Sequence, residues 1–235
     1  MVGKSSRFFK EGYDQPKYKL TIKDKSVFER SVRSFEQYFS TDKFLFLVRS
    51  DFNAAEYVEK SVKEMGIREY SIVEFNEETQ GQADTVYQGL SRAGSFFSPD
   101  EPLYIFNIDT FRPGFKKSEK SIDAGYLEVF KGEGSHWSFA LPGPNNTVIK
   151  TTEKERISDL CSNGLYYFNS VATYNSAFEH SVKNDLKAKG EFYIAPLYNY
   201  LISNNLKVSY ELIPSSEIIF CGTPDEYKAI INSTI

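Results

Sequence analysis

The chain has little sulfur and little histidine: two cysteines, two methionines and two histidines among 235 residues. Cys161 and Cys221 stand far apart and in no paired pattern. This argues against a disulfide framework and for two buried thiols in a reducing compartment. His136 and His180 share no spacing that suggests a metal pair or a catalytic triad, so both are read as structural. No apolar run is long enough to cross a bilayer and no signal peptide opens the chain. Membrane insertion is therefore not expected, and a cytoplasmic location is. An excess of positive charge is missing too: 28 Lys and Arg face 32 Asp and Glu, for a net charge of −4. That balance gives no broad electrostatic reason to bind nucleic acid or an acidic membrane. Internal repeats, low-complexity tracts and long linkers are also absent.

What is present is a core and an alternation. Hydrophobic residues make up 40% and charged residues 26% of the chain, a globular balance. Phe44-Leu45-Phe46-Leu47-Val48 reads as a buried strand. Residues 51–65 carry Ala54, Ala55, Val58, Val62 and Met65 at helical spacing, with Asp51 expected as N-cap and Gly66 as stop. Residues 71–75 read as a strand, 82–93 as a helix closed by Gly94, and 103–107 as a strand leading to Asp109. Beyond these, strands are expected over 137–141, 148–152, 164–169 and 207–213, and helices over 171–182, 193–204 and 225–231. Residues 116–133 are read as loop, then helix. This rhythm predicts an α/β fold, a three-layer α/β/α sandwich with a mostly parallel central sheet, in a single domain over residues 1–235. Ligands bind such sheets at the carboxyl ends of strands, which selects the loop at 79–82 and the segment 107–112.

The richest segment is the opening, with Gly3, Ser5, Ser6, Arg7 and Phe8, then Pro16 and Lys17. A glycine with small hydroxyl residues can wrap N–H groups around a phosphate, and Arg7 and Lys17 add the charge a triphosphate needs. On spacing alone this is also an ordinary polar loop. Taken with five later segments it becomes more specific: Gln80-Gly81-Gln82-Ala83, Asn107-Ile108-Asp109, Thr152-Glu153-Lys154, Asn163-Gly164-Leu165-Tyr166, and Gly222-Thr223-Pro224. In this order the six segments resemble the signature of the sugar-phosphate nucleotidyltransferases, whose fold is glycosyltransferase-A-like.

The resemblance implies an enzyme that transfers a nucleoside monophosphate from a nucleoside triphosphate to a phosphorylated small molecule, a sugar phosphate or similar, and releases pyrophosphate. It implies residues 1–113 as the nucleotide half and 114–235 as the acceptor half. Arg7 would hold the β- and γ-phosphates, and Lys17 the α-phosphate. Gly3, Ser5 and Ser6 would cradle the nucleotide, and Gln80, Gly81 and Gln82 would frame its base. Asp109 would hold Mg²⁺. Lys154 would neutralise the acceptor phosphate, with Glu153, Glu191 and Tyr193 beside the acceptor. Relatives of this look are associated with capsule and surface-polysaccharide synthesis, and a homo-oligomer is compatible with the resemblance. Plainer readings stand beside these: a helix cap for Asp109, a solvated charge for Lys154, a polar turn for Gln80 and Gln82, a helix start for Glu191 and Tyr193, and a solvated face for Lys116, Lys117 and Lys120.

The chain departs from the pattern twice. Only Met1 and Val2 precede Gly3, where the family places its first strand, so a truncated or misassigned start is expected. The second metal-binding Asp that sugar members often carry before Gly-Thr is here Phe220. Two other functions remain open on sequence: a glycosyltransferase of the same fold that uses a nucleotide sugar, and a non-catalytic nucleotide-binding regulatory domain. The single carboxylate of Asn107-Ile108-Asp109 differs from the DxD motif usual in the former.

Overall fold

The computed structural model describes residues 1–233, with residues 121 and 122 described by backbone alone. The chain divides into two compact units. One comprises Met1–Glu78, Asn107–Lys116 and Ser216–Ile235, and the other Thr79–Phe106 and Lys117–Ser215.

In the first unit, strand Lys43–Arg49 pairs in parallel with Glu69–Phe75, from Lys43 opposite Glu69 to Arg49 opposite Phe75. Between them runs helix Ala54–Met65, which buries Ala54, Val58, Ser61 and Val62. That i, i+4, i+7, i+8 stripe is what binds it to the sheet. Gly66, at φ 79°, ends it as expected, since only glycine takes that conformation without strain. The start differs from expectation. Asp51 does not cap the helix with its carboxylate, because Arg49 Nε holds that carboxylate at 2.9 Å. The N-cap position is Asn53, left-handed at φ 50° and without a side-chain cap. Tyr18, Phe28, Val32, Phe46, Val48 and Val58 form the core here. A short antiparallel pair, Thr110–Phe111 with Ile219–Phe220, joins the middle of the chain to the final helix, Pro224–Asn232. The Thr223 hydroxyl and the Glu226 carboxylate close a capping box at that helix start.

The second unit is built on a six-stranded sheet. Strand Leu160–Phe168 is buried at every position and pairs antiparallel with Leu103–Phe106, Gly125–Lys131 and Ser138–Pro142. Val208–Leu212 runs parallel to Gly125–Lys131, and Val148–Glu153 pairs antiparallel with Ser138–Pro142. Helices Gln82–Ala93 and Val171–Lys183 accompany the sheet. The α/β class is the one that the alternation predicts; parallel pairing is found between Lys43–Arg49 and Glu69–Phe75 and between Val208–Leu212 and Gly125–Lys131, while the other pairings of the six-stranded sheet are antiparallel.

Two expected elements are corrected in this unit. Residues 116–133 hold no α-helix: a 3-10 turn at Glu119–Ile122 leads into strand Gly125–Lys131. Glu128 in that strand is 2% exposed and accepts a 2.8 Å hydrogen bond from Asn163 Nδ2, a burial that the local sequence does not announce. The helix expected over 193–204 begins later, as a 3-10 turn Ala195–Leu197 running into Tyr198–Ser203. The main chain of Phe192 is engaged with Gln80 and Ala83, so the preceding residues cannot wind.

Tyr198 stitches this sheet from beneath. Its buried hydroxyl accepts from Tyr167 N at 3.0 Å and lies within donating distance of the Tyr126 and Tyr167 carbonyls, at 2.9 and 3.0 Å. Tyr198→Phe would leave these groups unsatisfied in a dry interior. A loss of about 1–3 kcal/mol is expected, read as a lower denaturant midpoint with unchanged slope. A midpoint equal to wild type would show that the hydroxyl is not needed.

Candidate active site

The amino-terminal loop is pinned by one aromatic. Phe8 is buried, edge-on to Tyr13 at 5.3 Å and to Tyr227 at 6.2 Å. Ser5 takes a left-handed conformation at φ 51° and starts the short helix Ser6–Lys10. The Lys17 N–H donates to Ser5 Oγ at 3.3 Å, which ties the loop to the Pro16-Lys17 turn. From that turn the Lys17 ammonium reaches the Asp109 carboxylate and forms an ion pair at Oδ2. The two side chains are 21% and 24% exposed, so the pair is sheltered but open to a ligand. Residues 92 positions apart are thus in direct contact. Arg7 is exposed and its side chain makes no hydrogen bond or ion pair among the described residues. Gly3 has no atom within 4 Å of where a Cβ would lie.

Asp109 is held from both sides. Its carbonyl accepts Cys221 N–H at 2.8 Å. Ser31 Oγ donates to the Asn107 carbonyl at 3.3 Å, and Arg112 N–H donates to Ser34 Oγ at 2.9 Å. A Cβ on Gly222 would lie 3.1 Å from Asp109 Oδ2 and 3.6 Å from Glu226 Oε2. The Glu226 carboxylate is occupied by the Gly222 and Thr223 N–H groups at 2.8 and 2.9 Å. The turn that lacks the family's second Asp therefore packs a bare backbone against the first one. Ser31, Ser34 and Glu226 were not among the expected site residues. Only Glu226 carried a readable signal, the Thr-x-x-Glu capping spacing. Cys221 is buried here, and burial, followed by the Asp109 charge, pushes its thiol up to about 12. Such a thiol is inert at neutral pH.

In the second unit the remaining predicted residues meet. The Gln80 carbonyl accepts Phe192 N–H at 2.8 Å, and the Phe192 carbonyl accepts Ala83 N–H at 2.9 Å. Asp84 accepts the Gln80 N–H at 2.7 Å and Gln88 Nε2 at 2.9 Å, fixing the loop. Gly81, at φ 122°, is the crossing point: a Cβ there would lie 2.5 Å from the Phe192 oxygen and 3.0 Å from Glu191 Cβ. Gln80 and Gly81 therefore lie against Glu191 and Phe192. Gly81→Ala is expected to destabilise the protein by about 1–3 kcal/mol, since neither backbone can yield. Chemical denaturation checks this, and a change below about 0.5 kcal/mol, the scale of an ordinary surface substitution, would contradict it.

Lys154, at φ 55°, donates from Nζ to the Tyr193 hydroxyl at 2.7 Å. Its ammonium lies 3.9 Å from Glu153 Oε1. Burial pulls its basicity down, but the Tyr193 hydroxyl and the charges of Glu153 and Glu191 outweigh this and raise it. Glu153 is shifted upward by burial, against the hydrogen bond from Ser138 and the charge of Lys154. The structure thus groups Glu153, Lys154 and Tyr193, with Glu191 close enough to act on them electrostatically. No group of three or more His, Cys, Asp or Glu is placed to hold a metal by itself among the described residues. Nor is any described helix long and apolar enough to cross a membrane.

No protein-family model and no curated protein sequence matches the chain. Solved structures do. The nucleoside-diphosphate-sugar pyrophosphorylase from Vibrio cholerae RC9 is 46% identical, with a TM-score of 0.96, over 99% of this chain and 98% of that one. The inositol-1-phosphate CTP transferase from T. maritima is 15% identical, with a TM-score of 0.73, over 100% and 94%. The CTP:phosphocholine cytidylyltransferase from Streptococcus pneumoniae (LicC) is 14% identical, with a TM-score of 0.69, over 98% and 94%. The last two establish the fold. The first, at nearly half identity along the whole chain, establishes more: this protein belongs to the nucleoside-diphosphate-sugar pyrophosphorylase family.

Proposed function

We propose that this protein transfers a nucleoside monophosphate from a nucleoside triphosphate to a phosphorylated small molecule, a sugar phosphate or similar. An oxygen of the acceptor phosphate bonds to the α-phosphorus, the bond from that phosphorus to the bridging oxygen breaks, and pyrophosphate leaves with the electron pair. Two anions must be brought together and charge stabilised on phosphoryl oxygens, a task of positioning and electrostatics rather than covalent catalysis. The observation that carries the reading is the contact of Lys17 with Asp109 beside Ser5, in a chain so similar to a pyrophosphorylase.

Lys17 is the α-phosphate partner, reaching the phosphate from a turn anchored on Ser5. Arg7, exposed and unengaged, suits the β- and γ-phosphates as a bidentate donor. Gly3, Ser5 and Ser6 supply the loop, and Gln80, Gly81 and Gln82 the edge that reads the base, because an amide both donates and accepts. Lys154 neutralises the acceptor phosphate, with Glu153, Glu191 and Tyr193 selecting the rest of that molecule. Asp109 suits Mg²⁺: it is a hard oxygen donor, it already attracts a cation in Lys17, and Gly222 brings no side chain to crowd Oδ2. Bound there, the ion would neutralise charge on the phosphoryl oxygens. Nucleoside triphosphate and phosphorylated metabolites are cytoplasmic, which makes that the site of action. Supply of precursors for a capsule or surface polysaccharide is a use consistent with this product class.

The test is a matrix of four nucleoside triphosphates against phosphorylated metabolites, read by pyrophosphate release. One base and one acceptor class should stand out. Nucleoside diphosphate released in added wells that contain nucleotide sugars, with no pyrophosphate anywhere in the matrix, would replace this reading with a glycosyltransferase. Nucleotide binding without turnover across the panel would replace it with a regulatory domain.

A further inference from the structure

The Asp109 carboxylate already carries a cation. The Lys17 ammonium stands on Oδ2, the same oxygen that a Cβ on Gly222 would crowd at 3.1 Å. The main chain on both sides of this contact is fixed: Lys17 N–H on Ser5 Oγ at 3.3 Å, Lys19 N–H on the Pro16 carbonyl at 2.9 Å, and Cys221 N–H on the Asp109 carbonyl at 2.8 Å. The mobile part is the lysine stem, whose ammonium is a compact charge on four rotatable carbons. Asp109 also lacks further protein ligands that could hold an ion without help from substrate oxygens, among the described residues.

These facts set two demands in competition. In the proposed reaction Lys17 faces the α-phosphate and Asp109 the metal. One carboxylate oxygen cannot serve an ammonium and a partly dehydrated divalent cation together, because the two cations repel at contact distance in a sheltered site. We infer that Lys17 is the resident counter-ion of the metal position, so that metal binds weakly until nucleotide phosphates draw the ammonium away. This rests on the assignment of Asp109 to the metal and Lys17 to the α-phosphate. Its consequence is coupling: nucleotide strengthens metal binding at Asp109, and by reciprocity the metal strengthens nucleotide binding by the same factor. An ion pair that merely braces the fold would predict no such link.

The experiment titrates Mn²⁺ alone, with free ion read by its paramagnetic resonance signal, against the full chain and four variants: Lys17→Met, Lys17→Arg, Asp109→Asn and the Lys17→Met/Asp109→Asn pair. Lys17→Met should bind Mn²⁺ about tenfold tighter than wild type, within the range usual for coupled ligands. Lys17→Arg, which keeps a cation, should stay near wild type, and the double variant should lose the gain. Thermal melts confirm that each variant is folded. If Lys17→Met binds no tighter than wild type while Asp109→Asn binds more weakly, the counter-ion role is overturned and Asp109 keeps its metal. If Asp109→Asn changes nothing in either background, the metal assignment itself fails, and the inference with it.

Discussion

Lys17→Ala is expected to lower turnover by about 10²–10³-fold, the usual loss when one preorganised donor to developing phosphoryl or oxyanion charge is removed. The loss should fall on kcat more than on KM for the triphosphate. Other groups also hold the ground-state nucleotide, whereas the contact of Lys17 strengthens as charge builds up during transfer. Folding should survive the change. The ion pair with Asp109 is partly open to solvent, at 21% and 24% exposure, and contributes about 1 kcal/mol or less. Tyr18, the buried anchor of that turn, is untouched. A kcat within threefold of wild type would mean that the wrong lysine has been assigned. A large rise in KM at unchanged kcat would make Lys17 a binding residue only.

The second large effect is expected at Asp109. Asp109→Ala should abolish Mg²⁺-dependent turnover, a loss of about a thousandfold or more, because several kcal/mol of charge stabilisation disappear together. Residual activity should no longer respond to added Mg²⁺. The backbone bond from Cys221 N–H to the Asp109 carbonyl does not involve the side chain, so the turn should persist. Asp109→Glu places the carboxylate farther out and should recover only part of the rate. A variant that keeps a normal Mg²⁺ response would transfer the metal to another residue, and the account would then need a new centre.

These expectations could be framed because much of the chain declares itself locally. Helix Gln82–Ala93, closed by Gly94, stands where the sequence reading puts it. Gly66 marked a helix end because the αL conformation it takes is awkward for other residues. The misread stretches share one cause, a tertiary contact that overrides a local signal. Residues 116–133 read as loop, then helix, but Glu128 there lies buried on Asn163 in strand Gly125–Lys131. Asp51 reads as a cap, but Arg49 takes its carboxylate. Residues 193 and 194 read as the start of a helix, but the neighbouring Phe192 backbone belongs to the Gln80 loop.

The site was legible in a different way. Lys17 and Asp109 were selected by the order of motifs, yet nothing in the sequence says that their side chains touch. The contact depends on Ser5 anchoring one turn and on Cys221 and Gly222 packing against the other. Lys154 could not be separated from the charged run around it until Tyr193 supplied a partner. Phe220 signalled only that a carboxylate was missing. That the adjoining Gly222 approaches Asp109 Oδ2 too closely for a side chain comes from backbone geometry alone.

The most direct measurement follows the atoms. Acceptor phosphate labelled with ¹⁸O is incubated with the triphosphate that supports turnover, and mass spectrometry reads each product. Attack on the α-phosphorus keeps every labelled oxygen in the nucleotide-linked product and none in pyrophosphate. Label in pyrophosphate or in free phosphate would contradict nucleotidyl transfer at this site.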